Sequence, residues 1–271
     1  MRTYCLRPGT GRILHHSEKR TMKDLLIQTI RDFVKFRAEQ TGNTAMWGEP
    51  LTGFADAADP AFADLRRIVR TDHQLPCDVL PGAQTVLSYY VPIQPEISRT
   101  NIGGKTASAE WAAAYTETNL LFASLNTELI ELIRQQGYEA AVPGGAHQFD
   151  ETLLKSRWSQ RHVARIAGLG SFGKNNMLIT KTGCCGRFSS LITTLPIQPD
   201  TEKPGENCLW KASGGTKCGL CIRRCPSGAL TAEGFDRRKC YALCLENENL
   251  YPGSDVCGKC VAGMPCGHAH F

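Results

Sequence analysis

Thirteen cysteines occur in 271 residues, and nine of them fall in the last 64: Cys208, Cys218, Cys221, Cys225, Cys240, Cys244, Cys257, Cys260 and Cys266. The densest run is Cys218-Gly219-Leu220-Cys221-Ile222-Arg223-Arg224-Cys225-Pro226. Its spacing suits iron–sulfur chemistry. A Cys-x-x-Cys loop can set two thiolates on one cubane while its backbone amides point at the sulfurs. A cysteine three residues later stands one helical turn on and faces elsewhere, and proline closes the loop without needing a donor.

The C-x2-C-x3-C-P run matches the last three cysteines of a bacterial ferredoxin ligand run, in which the cysteine before proline serves the other of two [4Fe–4S] clusters. The exchange assigns Cys208, Cys218, Cys221 and Cys266 to one cluster, and Cys225, Cys240, Cys257 and Cys260 to the other. Cys244 is left over and could replace Cys240, since both lie on one predicted turn. Two Cys-x-x-Cys pairs could instead form a four-cysteine zinc ribbon, but that would use fewer than half of the nine. The Cys-Pro ending favours cubanes.

A secreted disulfide scaffold would be short and cysteine-dense throughout. Here the first 207 residues hold only Cys5, Cys77, Cys184 and Cys185, which points to metal in a reducing compartment, the cytoplasm. No apolar run reaches membrane-spanning length, and no apolar stretch opens the chain as a signal peptide would. With 42% hydrophobic residues a substantial core is expected. The net charge is +5, but Arg2, Arg7, Arg12, Lys19 and Arg20 against Glu18 place +4 of it in residues 1–21. The rest is too balanced to mark a phosphate-binding face.

The elements that must hold these groups are legible in part. Residues 1–21 lack periodicity and read as a disordered extension. From Met22, Leu26, Ile30, Phe33 and Val34 recur at helical spacing until Gly42. Residues 43–60 read as loop, punctuated by Gly48, Pro50, Gly53 and Pro60. A short helix is expected at Ala61–Val69, a strand at Thr85–Val91, and a long helix capped by Ser108 and running to Gln136. Strands at Tyr138–Val142, Met177–Thr180 and Phe188–Leu195 and a helix at Ser159–Ala167 complete an α+β body over 22–200. Pro196 to Gly205 links it to a cysteine module over 201–271.

Residues 164–179, Ala-Arg-Ile-Ala-Gly-Leu-Gly-Ser-Phe-Gly-Lys-Asn-Asn-Met-Leu-Ile, resemble the A-G-L-G-x-x-G-K-x-x-L-L-I signature of epoxyqueuosine reductases. In that family, too, the signature precedes a two-cluster module, and Ser88-Tyr89-Tyr90-Val91-Pro92 fits its tyrosine-ended strand. The resemblance spans Met22 to Cys266. It implies a nitroreductase-like α+β domain followed by a two-cluster ferredoxin-like module, with two [4Fe–4S] clusters passing electrons to cobalamin and a reduced ferredoxin or flavodoxin as donor. The related reductive dehalogenases share that scheme. The family's proton-donating aspartate lies about thirteen residues before the A-G-L-G alanine, where ungapped counting meets Leu154; Asp150 and Glu151 are the nearest acids. Nine residues separate Cys208 from Cys218 where the family has two, and the module ends Cys260-x5-Cys266. No helical-repeat extension and no basic face for tRNA are evident. A small-molecule substrate is therefore expected, and tRNA is not.

Gly168, Gly170 and Gly173 follow a predicted helix and open a strand, the reverse of a dinucleotide-binding turn. They read as a close backbone approach to a flat cofactor, against a plain tight turn, with Lys174 either reaching a cofactor amide or phosphate or simply exposed. Asp150, after a Gly-rich loop, is the candidate general acid, weighed against a surface carboxylate or helix cap. Tyr115 reads as a helix packing residue, His162 as an exposed or core-edge histidine, and Cys184 and Cys185 as buried or redox-inactive thiols. The residues thus suggest an iron–sulfur oxidoreductase. An electron carrier without a substrate site is the competing expectation.

Overall fold

The computed structural model describes residues 21–144 and 149–269. Of the extension expected over residues 1–21, all but Thr21, which caps the first helix, lies outside the described residues, as does the loop Gly145–Gln148. The body runs α1 (Met22–Gln40), β1 (Leu51–Asp56), α2 (Ala61–Ile68), α3 (Pro76–Val79), β2 (Thr85–Pro92), α4 (Pro95–Thr100) and α5 (Ala109–Gln135). It continues through β3 (Ala140–Ala141), β4 (Phe149–Asp150), β5 (Lys155–Ser156), α6 (Gln160–Ile166), β6 (Gly170–Phe172), β7 (Leu178–Thr180) and β8 (Gly186–Thr193). The cysteine-rich part adds α7 (Leu209–Ala212), α8 (Leu220–Arg223) and α9 (Arg237–Leu250).

The main sheet has the order β1-β2-β8-β3, antiparallel at every pairing. β2 is buried at every position because helices cover both of its faces. Leu87, Tyr89 and Val91 pack with α1 and α5, through Leu26, Ile30, Leu121, Leu125 and Leu129. Val86 faces α2 and α6, among Phe62, Leu65, Val163 and Ala167. Full burial of each large apolar side chain contributes roughly 1.5–3 kcal/mol, so the two helical layers fix the sheet. The mixed α+β class is as expected.

The helix ends follow local chemistry. Thr21 and Asp24 form a capping box at α1, and the Ser108 hydroxyl accepts the Trp111 N–H at 3.2 Å to start α5. The largest departure is β1, a six-residue strand inside the stretch expected to be loop. Gly53 obscures it in sequence. In the structure a Cβ there would collide with the Ala167 carbonyl, so the glycine marks tight packing of α6 on the strand. The strand expected at 138–142 shortens to Ala140–Ala141, and β8 begins two residues early, at Gly186.

The segment after β8 is clamped across the body. Asp200 exchanges main-chain and side-chain hydrogen bonds with Phe54 and pairs with Lys23 at 2.6 Å. The cysteine-rich part then returns to the body, and its Cys208 and Val261 join the main hydrophobic core. It also has a small core of its own around Cys221, Leu230 and Met264. Among the described residues, no helix is long and apolar enough to cross a membrane.

Candidate functional site

Two groups of thiols form where the cysteine-rich part meets the body. Cys208, Cys218, Cys221 and Cys266 line a small cavity of about 20 Å³ together with Trp210 and Met264. Cys225, Cys240, Cys244, Cys257 and Cys260 lie on one wall of a much larger cavity, about 760 Å³. All of these thiols are free. Among the described residues, no three His, Cys, Asp or Glu side chains converge at single-ion distances. α8 links the groups, carrying Cys221 in the first while Cys225 follows its end in the second. Cys218 has φ +74°, a left-handed conformation that costs a non-glycine residue about 1–3 kcal/mol.

Burial raises the Cys221 thiol to about 11, and the neighbouring Cys266, Cys208 and Cys218 add to the shift. Cys260 is pushed well up by burial, then by Cys257, Cys240, Cys221 and Cys225. Sets of buried thiols that repel one another's charge fit a multinuclear cation, because coordination deprotonates the ligands and compensates them. Cys240 and Cys244 lie one turn apart on α9. The Cys244 thiol hydrogen-bonds to Cys240 and lowers it to about 7, helped by Arg161 and Arg237, while Cys244 itself is raised. Cys240 is thus the readier thiolate, and Cys244 the donor beside it.

Cys184 is buried, as expected, and its thiol is pushed well up by the Cys266 hydrogen bond and by burial, but its position was not foreseen. It lines the large cavity, and its sulfur stands 4.0 Å from that of Cys266. Asn175 donates toward Cys184 at 3.7 Å and to the Cys260 carbonyl at 3.1 Å, tying the second thiol group to the body. No motif marks Asn175; its position after the glycine turn is the one available signal. Cys185 is fully buried and donates to the Val261 carbonyl at 3.2 Å.

The rest of the large cavity is aromatic and cationic. Trp111, Tyr115, Trp158, Phe172 and Phe188 supply flat walls, and Arg161, Arg187 and Arg237 supply charge. The Arg187 guanidinium lies 3.7 Å from the Tyr115 ring, and the Tyr115 hydroxyl donates to Asp255. Burial raises the Tyr115 phenol, so it keeps its proton at neutral pH. His162 also reaches the cavity from α6; burial and then Arg161 lower it to about 4, which leaves it neutral. Tyr115, expected to pack within its helix, and His162, expected to be exposed or at the core's edge, are therefore cavity residues. A volume of this size with apolar walls and few polar groups suits a large flat ligand.

The glycine turn plays a different part from the one expected. Gly170 pairs with Thr180 in the β6–β7 hairpin, and a Cβ there would collide with the Ile179 carbonyl rather than enter the cavity. Gly168 ends α6 at φ +80° under the Glu202 carbonyl, and Gly173 packs on Ile179 and Asn175. Their close approach is to protein backbone and side chains. The loop between β6 and β7 carries Asn175 and Met177, which line the cavity. The Lys174 amide donates to the Cys208 sulfur at 3.4 Å, whereas its ammonium binds the Ala232 carbonyl at 2.7 Å. Lys174 thus serves the first thiol group, not the cavity. Asp150 adopts the alternative weighed against a general acid, a capping carboxylate. Its Oδ1 accepts the Thr152 and Leu153 N–H groups at 2.9 Å, and Arg70 lies 3.5 Å from Oδ2, an arrangement that caps a turn outside the cavity lining.

No family model matches the chain. Among curated relatives, the epoxyqueuosine reductase of Francisella cf. novicida is 28% identical over 204 residues, covering 70% of this chain and 52% of the relative. That of Vibrio cholerae is 26% identical, covering 65% and 46%. The chain spans about half the length of the curated relatives it matches. Their name is that of the family the glycine signature resembles. Among solved structures, epoxyqueuosine reductase from Streptococcus thermophilus superposes with a TM-score of 0.52 at 18% identity, covering 86% of this chain and 66% of the other. An epoxyqueuosine reductase bound to a modified tRNA-Tyr stem loop gives 0.51 at 15%, covering 89% and 66%. A reductive dehalogenase described in terms of B12-dependent dehalogenation gives 0.52 at 17%, covering 78% and 29%. At these identities the superpositions establish a shared fold.

Proposed function

We propose that the chain is an epoxyqueuosine reductase-like iron–sulfur oxidoreductase of the cytoplasm, with a nitroreductase-like body and a two-cluster ferredoxin-like module. One observation carries the reading: two groups of thiols lie in series, and the second forms a wall of an aromatic cavity shared with the body. Cys208, Cys218, Cys221 and Cys266 would hold one [4Fe–4S] cluster, and Cys225, Cys240, Cys257 and Cys260 the other. A cobalamin-type cofactor would occupy the cavity. When bound, these groups supply one-electron carriage and a strongly reducing centre.

The chain's own residues define the rest of the chemistry. Cys218 is exposed, so a ferredoxin or flavodoxin donor would dock against the first thiol group. Asn175 holds the hairpin against the second group. Tyr115 carries a proton at the cavity wall, and the Arg187 cation against its ring would stabilise the phenolate left after donation. Tyr115 stands on the cavity lining, where Asp150 does not, and is the better placed of the two for the acid role.

Two features bear on the substrate. Phe149 and Tyr241, 5.7 Å apart, stand on the cavity's lining with Phe149 half exposed, a surface on which a planar group could stack. The relative bound to a tRNA stem loop removes the ground for setting tRNA aside. Epoxyqueuosine-bearing tRNA is therefore the first substrate to assay, and small epoxides or halides follow.

Anaerobic reconstitution followed by cobalamin titration tests the reading. About eight irons per chain are expected, four per cubane, with a broad visible band and saturable cobalamin uptake. Full clusters without cobalamin uptake would leave the electron-carrier reading in its place.

A further inference from the structure

We infer that Cys184 and Cys266 are a reversible redox pair, closing to a disulfide when a peroxide reaches the cluster-free chain and so withdrawing Cys266 from the first thiol group. This rests on the proposed function only in taking Cys266 as a cluster ligand. The two sulfurs lie 4.0 Å apart, with the Cys184 thiol donating toward Cys266. A disulfide bond is about 2.05 Å long, so side-chain rotation closes the gap where the backbones are already near. Here they are hydrogen-bonded. The Cys184 N–H donates to the Cys266 carbonyl at 2.9 Å, and the Cys185 N–H to the Gly267 carbonyl at 2.8 Å.

Glycines permit this approach. A Cβ at Gly183 would collide with the Gly267 carbonyl, and one at Gly267 with the Val261 carbonyl. The Cys185 thiol on the Val261 carbonyl and a 2.6 Å hydrogen bond between Ser98 and His268 pin the same segments on either side of the pair. Cys184 is not a further member of the first group. It lies outside the lining of the small cavity that Cys208, Cys218, Cys221 and Cys266 share, and lines the large cavity instead. Cys266 is half-buried beside the exposed Pro265, whereas Cys184 is buried, so a small oxidant meets Cys266 first.

Hydrogen peroxide converts the Cys266 thiol to a sulfenic acid and releases one water. The Cys184 sulfur then attacks the Cys266 sulfur. The S–S bond forms, the S–O bond breaks, and the hydroxyl leaves as water with the Cys184 proton. Two thiols are oxidised by two electrons, and one peroxide is reduced to two waters. A dithiol reductant reopens the bond by exchange, as suits a transient disulfide in a reducing compartment. Closure leaves the first group three thiols, which stops cluster assembly there, and keeps Cys266 from the irreversible sulfinic state.

The full chain, before iron is added, is treated with hydrogen peroxide, its remaining thiols are blocked, and its tryptic peptides are weighed by mass spectrometry without reduction. A peptide linking Cys184 to Cys266, placed by fragmentation, is expected two hydrogens lighter than its parts. Cys184→Ser should abolish it and Cys185→Ser should not. Reconstituted after oxidation, the wild type should take up about half its usual iron, and dithiothreitol should restore the rest. Untreated Cys184→Ser should load as much iron as the wild type. After peroxide it should regain less with dithiothreitol, because an unresolved sulfenic acid proceeds to the sulfinic acid. Absence of the linked peptide from the folded wild type, or its persistence in Cys184→Ser, overturns the inference. Loss of about half the iron from untreated Cys184→Ser also overturns it, since Cys184 would then be a ligand. The wild-type peptide map decides if the variant does not fold. A chain that takes up no iron in any state defeats the functional proposal, yet the peptide map still decides the redox pair.

Discussion

Single residues carry most of the chemistry and are the sharpest tests of it. Cys218→Ser or Cys225→Ser should each remove about half of the bound iron, one cubane of two, and Cys77→Ser none; iron analysis after reconstitution decides. Cys240 is favoured as thiolate over Cys244. Cys240→Ser should therefore strip the second cluster and Cys244→Ser leave it in place, and the reverse pattern would exchange their roles. Tyr115→Phe should lower turnover by about a hundredfold or more without altering iron or cobalamin content, the usual worth of a positioned acid. Fully retained activity would move the proton source elsewhere. His162 gives a pH signature. Its folded pKa lies near 4 against an ordinary 6.5, so the unfolded chain binds the extra proton. Its contribution is intact above pH 6.5 and is lost as pH falls toward 4. Denaturation midpoints should drop across that window, and less steeply in His162→Gln. The cysteine spacing was open to reading because ligand runs are local. The cavity roles of Tyr115, Arg187 and Cys184 were not, since those residues are brought together from α5, from β8 and from the turn before β8.

At the scale of elements, the β6–β7 hairpin shows how one sequence pattern can serve two geometries. A glycine-rich turn after a helix suits either a flat ligand or a close protein neighbour, and only the register Gly170↔Thr180 distinguishes them. Gly170→Val should therefore destabilise the hairpin by roughly 1–3 kcal/mol through overpacking against Ile179, lowering the thermal midpoint and loosening iron and cobalamin together. Selective loss of cobalamin with an unchanged midpoint would restore the direct contact. β1 teaches a similar lesson. Gly53 and Pro50 read as loop punctuation, but the strand forms because β2 provides a paired edge and α6 needs a position without a side chain. α1 and α5 were legible nearly to the residue, since their caps and their four-residue apolar spacing are local signals.

On the scale of the whole molecule, the question is how the cysteine-rich part is held in register with the body, since both line the large cavity. Asn247, Asn101 and Lys259 make the joint. Asn247 is fully buried, accepting the Ala107 N–H at 3.0 Å and donating to the Val256 carbonyl at 2.8 Å. Asn101 donates to the Cys257 carbonyl at 2.8 Å and itself receives the Lys259 ammonium on its carbonyl. Asn247→Ala would orphan both main-chain groups, at a cost of about 1–3 kcal/mol each. It should lower the thermal midpoint and slow electron passage into the cavity, while iron content stays near that of the wild type. An unchanged midpoint would mean that the joint lies elsewhere. The sequence by itself determined that this chain has a mixed α+β body, a metal-type thiol module and a likeness to epoxyqueuosine reductases, because periodicity, caps and ligand spacing are written within a few residues of one another. Only the tertiary structure decided what the thiols face. It turned Asp150 outward into a capped turn, set the glycines against protein, and gathered Trp111, Tyr115, Arg161 and Arg187 around one cavity. Those positions depend on how α5, α6 and β8 pack across the sheet, and packing between distant segments has no local code.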